Sequence, residues 1–309
     1  MMNSTSEEVK VELPGFVRVY KDGSVERLFG SPLGPPTLED PKTGVSSKDV
    51  TISSDKNLSA RLYLPKLASN NHPILVYFHG GGFCVESAFS LPHQRYMNIL
   101  ASQGGVVIVS VEYRLAPEHP LPTAYEDCWT SLNWVASLQD PWLASHGSLD
   151  ALFIGGDSSG ANIAHNLAMR AGTESLDNGV KILGAFISHS HLMDDPSSSN
   201  LDVQMGYKVW NFVYPDAPGG SNSHMINPMA DGAPSLAQLG CSRVLVIVAE
   251  KEGQRDTEIR YYNAVRNSGF QGSVELFETK GEGHCFHIFS PDSENAKLLF
   301  QRLTSFLHK

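Results

Sequence analysis

The sequence predicts an α/β protein built on a mostly parallel sheet with helices on both faces, and three observations carry that prediction. Short continuous apolar runs recur at Ile74–Phe78, Val106–Val111, Leu152–Ile154, Ile182–Ile187 and Val244–Val248, the pattern of strands buried on both faces. Segments with helical spacing lie between several of them, and strands alternating with helices give parallel neighbours covered on each side. The stretch 151–165, A-L-F-I-G-G-D-S-S-G-A-N-I-A-H, reads as strand, sharp turn and helix, with Ile163 and Leu167 four apart on one helical face.

Taken in order, residues 1 to about 15 are polar and are expected to stay mobile until they dock. Phe16–Tyr20 alternates, Lys21–Ser24 makes a turn and Val25–Leu28 returns, which predicts a hairpin. Proline and glycine dominate from Ser31 to Ser47, a loop, and Arg61–Leu64 is a strand closed by Pro65. Ile74–Phe78 runs into His79-Gly80-Gly81-Gly82-Phe83, while Val106–Val111 leads to the turn-rich link Glu112–Pro120. A helix is expected from Pro122, with Glu126 and Asp127 in its first turns and Cys128, Leu132 and Val135 on one face. After Ile182–Ile187 the periodicity weakens through serine-rich Asp194–Asn200, aromatic Tyr207–Tyr214 and the broken stretch Pro215–Pro234. Val244–Val248 resumes the core, Thr257–Ser268 is a helix stopped by Gly269, and Val274–Phe277 is the last strand. Ser290-Pro291 then opens a final helix carrying Ala296, Leu299, Leu303 and Phe306 on one face. The expected organisation is one domain over 1–309, with a cap contributed by about 1–40 and an insertion at about 189–235.

Composition narrows the function classes. The chain has 309 residues, 41% hydrophobic and 18% charged, enough for a large core. A formal charge of −10 and the lack of any basic run argue against a nucleic-acid surface, which needs clustered lysine and arginine. The N-terminal stretch lacks the charged start and apolar run of a secretory signal, and no run of about 18 apolar residues is present to span a bilayer. The expectation is a cytoplasmic protein with no membrane or nucleic-acid partner. Cys84, Cys128, Cys241 and Cys285 lie far apart with no C-x-x-C pair, so reduced packing cysteines are expected rather than zinc or disulfides.

The chemistry-bearing positions lie at strand exits. In Gly156-Asp157-Ser158-Ser159-Gly160 the terminal glycines let two backbones pass closely while the turn lifts a serine hydroxyl clear of the sheet, making Ser158 the candidate nucleophile. A serine hydroxyl needs a base, and the base needs an orienting carboxylate. His284, on the glycine-rich loop Gly281–His287, is the candidate base; His287 is its rival and is expected to pack beneath. The strand Val244–Val248 is followed by Glu252 and Asp256. Glu252 lies nearer the strand end and is preferred as the orienting acid, because Asp256 has an alternative role as the N-cap of the next helix. His79-Gly80-Gly81-Gly82 leaves a buried strand with unobstructed amides, so Gly81, Gly82 and Ser159 are assigned as oxyanion donors and His79 as the support of that loop. His189 and His191, two apart, would share a face of a strand, but no third metal ligand accompanies them.

Jointly, H-G-G-G-F at 79–83, Y-R-L-A-P-E-H at 113–119, G-D-S-S-G-A-N at 156–162 and G-E-G-H-C-F-H at 281–287 resemble the plant carboxylesterase family. That family belongs to the hormone-sensitive-lipase-like branch of the α/β-hydrolases, and the likeness covers essentially the whole chain. The resemblance implies a sheet of about eight strands flanked by helices, a helical cap, and ester hydrolysis through an acyl-serine without metal or organic cofactor. Its substrate would be a small or medium hydrophobic ester, a plant specialised metabolite. One departure is that Glu252 stands where the family usually has Asp, and Ser188–Leu192 replaces an H-P-Y-F-like run. The family also contains members similar to 2-hydroxyisoflavanone dehydratase, others that shape alkaloids by elimination and cyclisation, and gibberellin receptors. A dehydratase or cyclase using the same pocket is therefore the alternative, with a small-molecule receptor behind it.

Overall fold

The computed structural model describes residues 8–66 and 71–308. At the N-terminal end β1 (Val9–Leu13), β2 (Val17–Tyr20) and β3 (Val25–Arg27) form a three-stranded antiparallel sheet. The expected hairpin is present, but β1 departs from the expectation of a mobile segment: Val9, Val11 and Leu13 alternate with charged residues and pair across to β2. Residues 1–7 of that expectation lie outside the described residues.

The main sheet has eight strands. β4 (Ser46–Ser53), β5 (Leu58–Leu64) and β6 (His72–Phe78) precede helix α1 (Leu91–Gly104) and β7 (Val107–Glu112). Helices α2 (Thr123–Ala136) and α3 (Pro141–His146) lead into β8 (Gly147–Asp157), α4 (Ser159–Ala171) and β9 (Ile182–Ser188). The chain continues through α5 (Leu201–Val213), β10 (Cys241–Ala249), α6 (Arg255–Asn267), β11 (Ser273–Thr279), the short α7 (Phe286–Phe289) and α8 (Glu294–Leu307). Strand order is β11-β10-β9-β8-β6-β7-β5-β4, parallel from β11 to β7 and antiparallel where β5 meets β7 and β4.

The apolar runs are buried because the sheet is sandwiched between helices. Ile74, Val76 and Phe78 join one core layer with Leu132, Ile163 and Leu167, while Leu75 and Tyr77 join the other with Leu100, Leu299 and Phe306. Alternate residues of a strand thus serve opposite cores. Helix α8 is N-capped by Ser293, which accepts from the Ala296 amide, rather than by the expected Ser290-Pro291, since a turn over 291–293 intervenes. The four cysteines are free thiols, three of them buried.

This topology places the carboxyl ends of β6, β8, β9, β10 and β11 side by side at one edge. Ligands in open α/β sheets bind at such an edge.

Candidate active site

The site is assembled from strand exits. At the end of β8, Ser158 has φ 57° and ψ −119°, an uncommon conformation for a residue with a side chain and the signature of an elbow between strand and helix. The turn is pinned on both sides: the Ser158 amide donates to the Ser188 carbonyl (3.0 Å), and the Ser158 carbonyl accepts from the His191 amide (3.0 Å). Gly160 makes the elbow possible, because a Cβ there would stand 2.0 Å from the Phe78 carbonyl oxygen of β6.

The β6 exit supplies the glycine loop. Gly81 has φ 109°, and a Cβ on it would come within 2.1 Å of the Val85 carbonyl oxygen. The Gly81 carbonyl accepts from the amides of Cys84 (3.1 Å) and Val85 (3.0 Å), which folds the loop back on itself. His79 anchors it: its Nδ1 donates to the Gly80 carbonyl (2.7 Å), its ring stacks on Tyr113 at 4.3 Å, and the Tyr113 hydroxyl donates to the His79 carbonyl (2.7 Å). Burial pushes the His79 imidazole down to about 3, so it is neutral in this role. A Cβ on Gly80 would stand 3.3 Å from the Ser158 Cβ, which puts the loop beside the serine. Ser159 is the first residue of α4, whose opening amides lack intrahelical partners.

The β10 and β11 exits carry the carboxylate and the imidazole expected as acid and base. His284 Nδ1 is hydrogen-bonded to Glu252 Oε1, leaving Nε2 for the cavity side. Glu252 is buried, and its other oxygen accepts from Nδ1 of His189 at 2.9 Å. Burial raises the Glu252 carboxyl, but the two imidazoles, His189 foremost, outweigh it and hold the group well below the usual carboxylate range. Desolvation lowers the partly exposed His284, yet the hydrogen bond it donates to Glu252 and the charge of that carboxylate more than offset this, and its pKa is raised.

Asp256 is not brought to His284. It is exposed, paired with Arg255 at 3.0 Å, and lies inside the first turn of α6; Gln254 holds the N-cap position expected for it. His287 is wholly buried beneath the elbow, its Nε2 3.0 Å from Asp157 Oδ1 and its ring stacked on His189 at 5.4 Å. Asp157 also accepts from the Tyr77 hydroxyl (2.9 Å) and is held down to about 2: burial raises it, and His287 more than reverses that.

His189 and His191 do not share a strand face. β9 ends at Ser188 and His189 adopts φ 48°, so the chain turns and the two imidazoles part. His189 joins Glu252, whereas His191 lines the cavity with Ser158 and packs edge-on to Phe83. Sequence reasoning weighed His189 as a metal ligand and as part of the unusual stretch Ser188–Leu192, not as a partner of Glu252, and did not reach Glu258 at all. Glu258 is buried on α6, accepts from the Ser190 amide, and is pushed well above the usual range by burial and then by the charge of Glu252. No local signal marks it, because the partner that makes it special is 68 residues away.

Among the described residues, His189, Glu252 and His284 are the group with metal-ligand spacing, their donor atoms lying within 4.8 Å of one another. Both carboxylate oxygens are already taken by imidazole donors, which is the arrangement of a hydrogen-bonded acid–base site rather than of an open metal centre.

Two cavities meet at Ser158 and His284. One of about 300 Å³ is lined by Phe16, His191, Asp202, Met205, Val209 and Gln254; the other, of about 270 Å³, by Phe29, Val85, Ile288 and Phe289 with the glycine loop. The N-terminal sheet and α5 therefore supply walls of the site. A larger groove of about 580 Å³ between α1 and α8 contains neither Ser158 nor His284.

A family model described as the alpha/beta hydrolase fold matches residues 75–288. The chain is 53% identical to a 2-hydroxyisoflavanone dehydratase of Glycyrrhiza echinata, covering 98% of each. It is 42% identical to a probable carboxylesterase 2 of Arabidopsis thaliana, covering 100% of this chain and 99% of the relative. Among solved structures, a hyperthermophilic esterase from the archaeon Pyrobaculum calidifontis superposes with a TM-score of 0.71 at 27% identity, covering 84% of each chain. No helix among the described residues is long and apolar enough to cross a membrane.

Proposed function

The chain belongs to the α/β-hydrolase family whose model it matches, and from that premise we propose that it is a serine hydrolase acting on a small or medium hydrophobic carboxylic ester. One observation carries the reading: Glu252 engages Nδ1 of His284, and that imidazole faces the same cavities as the elbow serine. With Nδ1–H held, Nε2 is the free base. Ser158 Oγ attacks the ester carbonyl while Nε2 of His284 takes its proton. The tetrahedral oxyanion is received by the amides of Gly81, Gly82 and Ser159. His284 then returns the proton to the leaving alcohol, and a water repeats the sequence to free the acid. Two compact cavities flanking the serine, one of them lined largely by apolar side chains, suit the two halves of such an ester.

The test is turnover of 4-nitrophenyl acetate and its longer homologues by the wild type and Ser158→Ala. The reading expects loss of at least about 10⁴-fold in kcat; equal rates would overturn it. A second reading, elimination or cyclisation with His284 as the base, is favoured by the relative named a 2-hydroxyisoflavanone dehydratase. Under it His284→Ala abolishes turnover of the substrate, Ser158→Ala retains much of it, and aryl esters are poor.

A further inference from the structure

We infer that His189 is a positioning residue of this site: its Nδ1–H holds the second oxygen of Glu252 so that the first meets His284. The inference rests on the serine-hydrolase reading and adds a residue to it. A glutamate has one more rotatable bond than an aspartate, so its carboxylate needs a second fixed donor to be held in one orientation. His189 supplies it from a wholly buried ring, at 2.9 Å, a shorter bond than the 3.4 Å one the same oxygen accepts from the Ala249 amide, and its own backbone is fixed by donation to the Ile247 carbonyl (2.9 Å). The left-handed turn at φ 48° is what aims it: had β9 continued, the residue after Ser188 would have followed the pleat of the sheet instead. Stacking on His287, which in turn meets Asp157 beneath the elbow, ties the carboxylate clamp to the turn that carries Ser158.

Every ionisable group packed around the carboxylate bears on the outcome. His284 comes from the β11 exit, Glu258 from α6 and Cys285 from the start of α7. Burial and then the charge of Glu252 push the Glu258 carboxyl well above the usual carboxylate range, which disfavours a second negative charge beside Glu252. Asp157 and Asp202 act on His284 from the elbow and from α5.

The experiment compares His189→Ala and His189→Asn. An asparagine amide places a donor where Nδ1–H stands and tolerates a left-handed backbone. His189→Ala is expected to lower kcat for an aryl ester about 10–100-fold with KM changed less than about twofold. It should also move the acid limb of kcat/KM to higher pH, because a carboxylate with one donor fewer pulls harder on the His284 proton. His189→Asn should restore both. Wild-type kcat and an unmoved limb in His189→Ala, or an Asn variant as impaired as Ala, would overturn the inference. Should His189→Ala fail to fold, His189→Phe decides: its ring keeps a face for His287 but offers no donor to Glu252, so kcat should fall at least tenfold, whereas full activity would refute the clamp. Failure of the serine-hydrolase reading shows separately, as retained ester turnover in Ser158→Ala.

Discussion

At the scale of single residues the account depends on an imidazole poised between a serine and a buried carboxylate. His284 must be neutral to accept the Ser158 proton, and Glu252 raises its pKa against the lowering effect of burial. Activity should therefore rise with pH through a midpoint above the ordinary histidine value of about 6.5. In Glu252→Gln the carboxylate charge that does most to raise His284 is gone, only the weaker pull of Asp157 and Asp202 opposes desolvation, and the acid limb should shift to lower pH with kcat down about 10³–10⁴-fold; a pH–rate profile in which the limb stays put would contradict this. Ser158, His284 and Glu252 were legible because each follows a recognisable strand exit. The carboxylate at 252 could be told from Asp256 by its distance from the strand end, and the structure brings Glu252 to His284 while leaving Asp256 in solvent. His189 and Glu258 were not legible, since a backbone turn at φ 48° and a contact 68 residues apart leave no local pattern.

At the scale of elements, the H-G-G-G exit of β6 is a loop whose conformation leaves no room for a side chain at its second glycine. Gly81→Ala would force a Cβ at 2.1 Å from the Val85 carbonyl and require φ 109° of an alanine, so the donors must move. The expected result is a fall of about 10²–10³ in kcat with a modest change in KM, measured on the same aryl ester; wild-type kcat would show that the loop does not carry the oxyanion. The strands buried on both faces were read correctly from apolar runs, and α2, α4 and α6 from their helical patterns, though the N-cap expected of α6 at Asp256 falls to Gln254. α1 was missed because its inward side includes His93, Gln94 and Asn98, polar residues that erase the apolar stripe. β4 was missed because it lies at the sheet edge as S-S-K-D-V-T-I-S, with little apolar content to mark it. The serine-rich and aromatic stretches after β9 carried no clear period, yet they contain α5, which walls the larger of the two cavities at Ser158 through Met205 and Val209.

At the scale of the whole molecule, several buried histidines couple the fold to pH. Burial holds His79 to about 3 and His93, His165 and His191 to about 4, so the native chain refuses protons that the unfolded chain accepts below about 6.5. Glu112, raised to about 7, and Glu258 act in the opposite sense, holding protons that the unfolded chain releases above about 4.5. The histidines outnumber them, so near pH 5.5 unfolding should take up roughly two protons and stability should fall as pH falls from 7 to 5. Urea melts across that range check the sign; a chain that gains stability on acidification would contradict it. The central claim, however, is that Ser158 is an acyl-accepting nucleophile, and covalent labelling tests it most directly. Incubated with a 4-nitrophenyl phosphonate and analysed by peptide mass spectrometry, the protein should carry a single adduct on the Ser158 peptide, formed far more slowly in His284→Ala. Labelling of another residue, or an unlabelled Ser158 in a protein that still turns over aryl esters, would contradict the account.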